Sequence, residues 1–161
     1  MQTWQPKITQ YKVSDFLSWQ KAKTLVLSPS FQRRPVWKAV AKSLLIDTVA
    51  RGLPMPPIFF REQRTSLSSF EPKREVVDGQ QRIRTLISFI NPSLLDDYKP
   101  ERDAFDVLEN HNNEIGGKKF SEFPPPLQQR MLDYEFGVHI LPAEVSDKEV
   151  LQIFARIVVL S

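Results

Sequence analysis

Five consecutive residues, Asp78-Gly79-Gln80-Gln81-Arg82, carry the types needed to grip a phosphate where a strand turns into a helix. The preceding Glu75-Val76-Val77 is largely β-branched and predicts a strand, while Ile83, Leu86, Ile87 and Ile90 recur at helical spacing and predict a helix from Gln80. A helix that starts directly after a strand aims its first free N–H groups and the positive end of its dipole at one place. Gly79 permits the sharp turn and a close backbone approach, Gln80 and Gln81 add neutral donors, and Arg82 offers a two-pronged charged hydrogen bond. Spacing alone leaves a second reading open, with Asp78 as an N-cap, Gly79 as a turn residue, and the glutamines and Arg82 as a solvated first turn. The run is not a Walker A loop, since no Lys-Ser or Lys-Thr pair follows a glycine-rich stretch.

A second polar group, Gln32-Arg33-Arg34, lies in Phe31 to Trp37, where Pro35 disfavours a helix and an exposed loop is expected. Guanidinium groups there can hold a phosphate or stack on a base, although a solvated loop anchored by Trp37 fits equally well. Arg84, two positions past Arg82, leaves the helix on another side and reads as a surface charge. Lys42, Arg51, Arg61 and the pair Lys118-Lys119 either add to a basic face or are scattered surface charge. His111 and His139 are too few and too far apart to propose a metal site, and read as a turn and a strand residue. No serine stands in a nucleophile elbow, and the strand Glu75-Val76-Val77-Asp78 is not followed by the further carboxylate and lysine of a metal nuclease.

The elements that must position these residues follow from periodicity. Ser14-Asp15 starts a helix through Phe16, Leu17 and Trp19, and Thr24 to Leu27 reads as a short strand. A one-sided helix from Lys38 to Arg51 ends at Gly52, a left-handed cap, and a proline turn at Leu53-Pro54-Met55-Pro56-Pro57 leads into strand Ile58-Phe59-Phe60. Arg61 to Arg74 reads as a loop, and Asn91-Pro92 ends the helix that follows Gly79. Residues 91–123 are the least regular, with a hairpin expected between Phe105-Asp106-Val107-Leu108 and Lys118-Lys119-Phe120. A short helix through Leu127 and Met131, a strand with Phe136, Val138 and Ile140 facing inward, and a last helix opened by the capping box Ser146 to Glu149 complete the chain. Its apolar end, Ile157 to Leu160, is expected to mark truncation, a partner surface or a dimer contact.

The 161 residues fit a single α/β (α+β) domain, and 41% hydrophobic with 25% charged residues place the chain among folded globular proteins. A net charge of +3 permits a polyanionic partner without requiring one. No cysteine, no signal peptide and no apolar run of membrane-spanning length make a cytoplasmic protein the expectation.

The order of Phe31-Gln32-Arg33 to Trp37, the helix closed by Gly52, the Pro54 to Pro57 turn, strand Ile58 to Phe60, and Val76-Val77-Asp78-Gly79-Gln80-Gln81-Arg82-Ile83-Arg84-Thr85-Leu86 resembles the N-terminal domain of GmrSD-type restriction proteins. The likeness runs from about Leu17 to Arg156. It implies a ParB/sulfiredoxin-like domain, a small mixed sheet flanked by helices, that binds a nucleoside triphosphate at the turn matching Asp78 to Arg82. Which of GTP, ATP, CTP or UTP is used stays open. Gln32, Arg33 and Arg34 would complete the pocket or meet DNA, and Asp78 and Arg82 are the catalytic candidates, Asp78 acting through Mg²⁺ or by orienting Arg82 and a water. The resemblance further implies a role in phage defence through modified DNA, with a homodimer or a separate nuclease subunit as partner. No nuclease domain is expected within residues 1–161, and triphosphate hydrolysis is expected only conditionally. The alternative is a non-enzymatic DNA-binding or regulatory protein that keeps the fold.

Overall fold

In a computed structural model of the chain, the residues described are 3–5, 7–27, 37–65, 67–68 and 70–160. The five strands are β1 (Ile8–Lys12), β2 (Leu25–Val26), β3 (Ile58–Glu62), β4 (Arg74–Asp78) and β5 (Glu135–Leu141). They form one mixed sheet in the order β1-β5-β3-β4-β2. The pairs β1/β5 and β3/β4 are antiparallel, whereas β5/β3 and β4/β2 are parallel. The helices are α1 (Val13–Lys21), α2 (Ala39–Arg51), α3 (Gln80–Ile90), the single turn α4 (Pro100–Asp103), α5 (Pro125–Leu132) and α6 (Asp147–Leu160).

Alternation along the strands sorts their side chains onto two faces. Ile58, Phe60, Val76, Phe136 and Val138 point to the larger core, where they meet Val13 and Phe16 of α1, Ile46 and Val49 of α2, and Ile83 and Ile87 of α3. Burying each such side chain fully contributes about 1.5–3 kcal/mol. Val77 and Phe59 point the other way, into a smaller cluster with Trp4, Val145, Val150 and Ile153, and α6 covers that face. The α3 stripe Ile83, Leu86 and Ile87 is buried as its spacing predicts.

Several expected boundaries hold. Gly52 closes α2 at φ 69°, where its N–H caps the Val49 carbonyl, and Asn91 ends α3. Ser146 and Glu149 form the expected capping box, with Glu149 N–H on Ser146 Oγ at 3.2 Å.

Others are corrected. The loop expected over Arg61 to Arg74 is shorter, because β3 continues through Glu62 and β4 starts at Arg74. Arg61 and Lys42 do not belong to a basic face: both are buried, Arg61 among acidic partners and Lys42 donating to the Arg102 carbonyl at 2.9 Å. Arg51 folds back onto Asp47 at 2.7 Å. No strand forms in the expected hairpin at 105–108 and 118–120; Gly117 N–H donates to Val107 O, and the segment otherwise runs through turns and a 3-10 turn at Phe120–Glu122. Its apolar residues Val107, Ile115 and Phe123 are nevertheless core residues, held by packing instead of a strand ladder.

Candidate phosphate-binding turn

The β4–α3 turn is positioned by the sheet. Asp78 is the last residue of β4 and pairs with Phe59 of β3, and the register slips between Phe59 and Phe60, so that Val77 is the extra residue. A bulge of this kind bends a strand and re-aims its side chains at the strand end. Gly79 follows at φ 104°, a left-handed conformation, and a Cβ there would collide with Ile58 Cδ1. Glycine is favoured by its dihedral, and any Cβ would also require the end of the Ile58 side chain to shift.

Helix α3 starts immediately afterwards. Gly79 occupies the N-cap position, and its carbonyl accepts the Ile83 N–H at 3.0 Å. The N-cap reading of Asp78 is thereby corrected, as Asp78 lies one residue too early. The start of α3, with the positive end of its dipole, therefore follows β4 directly across a residue without a side chain.

Arg82 is not part of a solvated first turn. Its side chain is 12% exposed, donates to the Pro56 carbonyl and to the Pro57 carbonyl at 3.1 Å, and lies 3.8 Å from Asp78. The proline turn cannot form regular backbone bonds, so its carbonyls need a donor from outside, and Arg82 supplies it. Tyr134 supports the same turn through a 2.5 Å bond to the Leu53 carbonyl. Burial raises the Tyr134 pKa above the ordinary phenol value, against a smaller opposing influence of Arg82, and keeps the hydroxyl a donor.

The two glutamines diverge. Gln80 is buried, whereas Gln81 is partly exposed and its Oε1 accepts the Trp37 N–H at 3.4 Å. That bond brings the end of the Phe31 to Trp37 segment against the first turn of α3. Gln32, Arg33 and Arg34 themselves lie outside the described residues.

Residues passed over in the sequence also shape the turn: the Pro56 and Pro57 carbonyls, Trp37 N–H and Tyr134. The one available signal was the proline run just ahead of a strand that pairs beside Asp78. Elsewhere, Ser43 Oγ lies 2.8 Å from His111 Nδ1, but Ser43 is fully buried and also accepts the Leu108 N–H, so the pair anchors a loop and is no nucleophilic dyad. His139 stacks on Phe59 at 4.6 Å. Among the described residues no group of three or more His, Cys, Asp or Glu is placed to hold a metal ion.

Arg84 corrects a further expectation. It is no surface charge: it bonds Asp103 at 3.1 Å and Asp97 at 3.1 Å, and Arg102 joins the same Asp103 at 2.9 Å. Burial alone would raise the Asp103 pKa, but Arg102, Arg84 and the Lys99 N–H outweigh it and hold the carboxyl well below the usual carboxylate range.

A five-stranded mixed sheet with helices on both faces and a strand–glycine–helix turn between β4 and α3 defines an α/β domain. Residues 13–157 match the family described as GmrSD restriction endonuclease, N-terminal domain, and the chain belongs to that family. Membership associates it with restriction systems. No curated protein and no solved structure matches the chain. Among the described residues no helix is long and apolar enough to cross a membrane.

Proposed function

We propose that the β4–α3 turn binds the phosphates of a nucleoside triphosphate, and that the chain is the nucleotide-binding module of a restriction system directed at modified DNA. The observation that carries the reading is an α3 N-terminus that follows β4 directly through a positive-φ glycine, with the Arg82 guanidinium in its first turn. Backbone N–H groups of the turn would meet the phosphate oxygens, and Arg82 has donors to reach them from beside the proline turn. Gln32, Arg33 and Arg34 are proposed as further ligands on the family likeness.

Asp78, partly exposed, is the carboxylate at hand for Mg²⁺, an ion that commonly takes one or two carboxylates and completes its shell with water and substrate phosphates. A bound triphosphate supplies a phosphoanhydride bond whose hydrolysis can drive a change of state. Turnover is the conditional part of the proposal, with Asp78 and Arg82 as its candidates. Strand cleavage would fall to a nuclease domain or subunit outside these residues, and DNA or a second copy of the chain is the expected partner.

Titration calorimetry with GTP, ATP, CTP and UTP, with and without Mg²⁺, tests the pocket. At least one triphosphate binds, and Arg82→Ala weakens it by about ten- to a hundredfold, the worth of a charge-assisted hydrogen bond. No heat with the intact protein, or unchanged affinity in a folded Arg82→Ala chain, removes the assignment.

A second reading is favoured by the bonds from Arg82 to Pro56 and Pro57, which give that arginine a structural task of its own. The chain would then be a DNA-binding or regulatory protein without turnover. Gel shifts on modified and unmodified DNA separate the two: binding indifferent to nucleotide favours the second reading, and phosphate release the first.

A further inference from the structure

A cleft of about 520 Å³ opens at the far end of α3, between Ser88–Ile90, Tyr98, the 103–106 segment and residues 118–121. Small-molecule sites span roughly 300–1,000 Å³, so it is large enough for a ligand of nucleotide size. Its walls are aromatic. Phe89 and Phe105 pack at 5.5 Å with rings tilted by 33°, and Phe89 and Phe120 are each braced by the buried Phe123, at 5.7 and 5.9 Å. These partly exposed rings line the cleft and are fixed by their neighbours, with Lys42 Nζ also lying over the Phe105 ring, 5.7 Å from its centre.

The charges of the cleft are uneven. Lys118 and Lys119 are exposed on its rim and form no ion pair among the described residues. Asp103 also lines it but is paired with Arg84 and Arg102, which leaves Asp106 as the other carboxylate of the lining, while Glu122 beside it accepts the Lys119 N–H at 2.8 Å. The C-terminal end of α3 carries the negative end of the helix dipole, so an anionic group is disfavoured beside Ile90 and favoured at the lysine rim.

We propose that this cleft is a second ligand site, built for a nucleoside phosphate whose base lies against the Phe89, Phe105 and Phe120 surface and whose phosphate rests on Lys118 and Lys119. Asp106 is placed to accept from base amino or imino groups. Sequence-tolerant recognition follows, since every base offers a π face to an aromatic platform. The site is separate from the Gly79 turn: Ser88 is eight residues beyond Gln80, about 12 Å along the helix axis at 1.5 Å per residue. The same chemistry is offered by a free nucleotide and by one unit of a single strand.

The test is magnesium-free titration of the full chain with nucleoside monophosphates, nucleosides, inorganic phosphate and a short single-stranded oligonucleotide, followed by amide chemical shifts. Monophosphates are expected to bind more tightly than either nucleoside or phosphate alone, with shifts at Phe89, Phe105 and 118–121. The double change Lys118→Glu, Lys119→Glu is expected to weaken binding about tenfold or more, with the unfolding midpoint preserved because both residues are exposed. An oligonucleotide that outcompetes the monophosphate identifies a strand unit as the natural ligand; one that binds no better identifies a free nucleotide. Shifts confined to Gly79–Arg82, equal binding of inorganic phosphate, unchanged affinity in the double variant, or no binding at all would each overturn the site. Failure here leaves the triphosphate reading intact, because that reading is scored by Arg82→Ala.

Discussion

Gly79 and Arg82 shape the β4–α3 turn in two different ways. Gly79 sits at φ 104° with Ile58 Cδ1 in the space a Cβ would take. Gly79→Ala is therefore expected to destabilise the protein by about 1–3 kcal/mol, read from urea unfolding. Adding Ile58→Val should relieve part of that loss relative to Ile58→Val alone, because it removes the colliding methyl but leaves the dihedral strain. Were Ala tolerated without loss, the tight turn would be wrong. Arg82 was legible as a charged donor, but its partners were not, because Pro56 and Pro57 lie 26 and 25 residues away in sequence. Arg84 was misread for the same reason: helical spacing says which side a residue leaves by and nothing about the carboxylates folded against that side.

At the scale of elements, α6 is held to the sheet by a buried cation as much as by its apolar stripe. Arg61 of β3 donates to the Val145 carbonyl at 2.9 Å and pairs with Glu75 of β4 at 2.9 Å and Asp147 of α6 at 2.7 Å. Burial alone would lower the Arg61 pKa, but its acidic partners outweigh this and raise it, so the charge is retained. Arg61→Ala leaves Glu75 buried without its charge partner and is expected to cost about 3–5 kcal/mol, whereas the double change Arg61→Met, Glu75→Leu should be close to neutral. Paired unfolding measurements check this, and equal losses in the two variants would contradict it. β4 carries Glu75 near its start and Asp78 at its end, so the strand that anchors α6 also leads into the Gly79 turn.

For the whole molecule, the Asp103 network fixes how the fold responds to acid. Asp103 joins Arg84 of α3, Arg102 of α4 and the Lys99 N–H at 2.9 Å, closing the 91–103 segment onto α3. Its folded pKa is depressed, so its stabilising contribution is complete above the unfolded value of about 3.9 and is withdrawn as pH falls toward the lower folded value. Asp103→Asn is expected to lower stability at neutral pH by about 2 kcal/mol and to flatten the decline below about pH 4. Chemical unfolding across pH 2–7 reads both effects, and an unchanged acid slope would show that Asp103 does not set it.

The sequence by itself determined the elements with strong local signals. The apolar stripes of α2 and α3, the Gly52 stop, the Ser146–Glu149 cap and the Val76-Val77-Asp78-Gly79 turn are set by interactions a few residues long, which periodicity and residue type record directly. The family likeness was legible for the same reason, because its motifs are contiguous. The tertiary structure alone decided the sheet order, the packing of 104–123 without the expected hairpin, the burial of Arg61 and Arg84, and the tie from Arg82 to the proline turn. Each depends on groups distant in sequence, whose desolvation and pairing are fixed only once the chain has closed on itself.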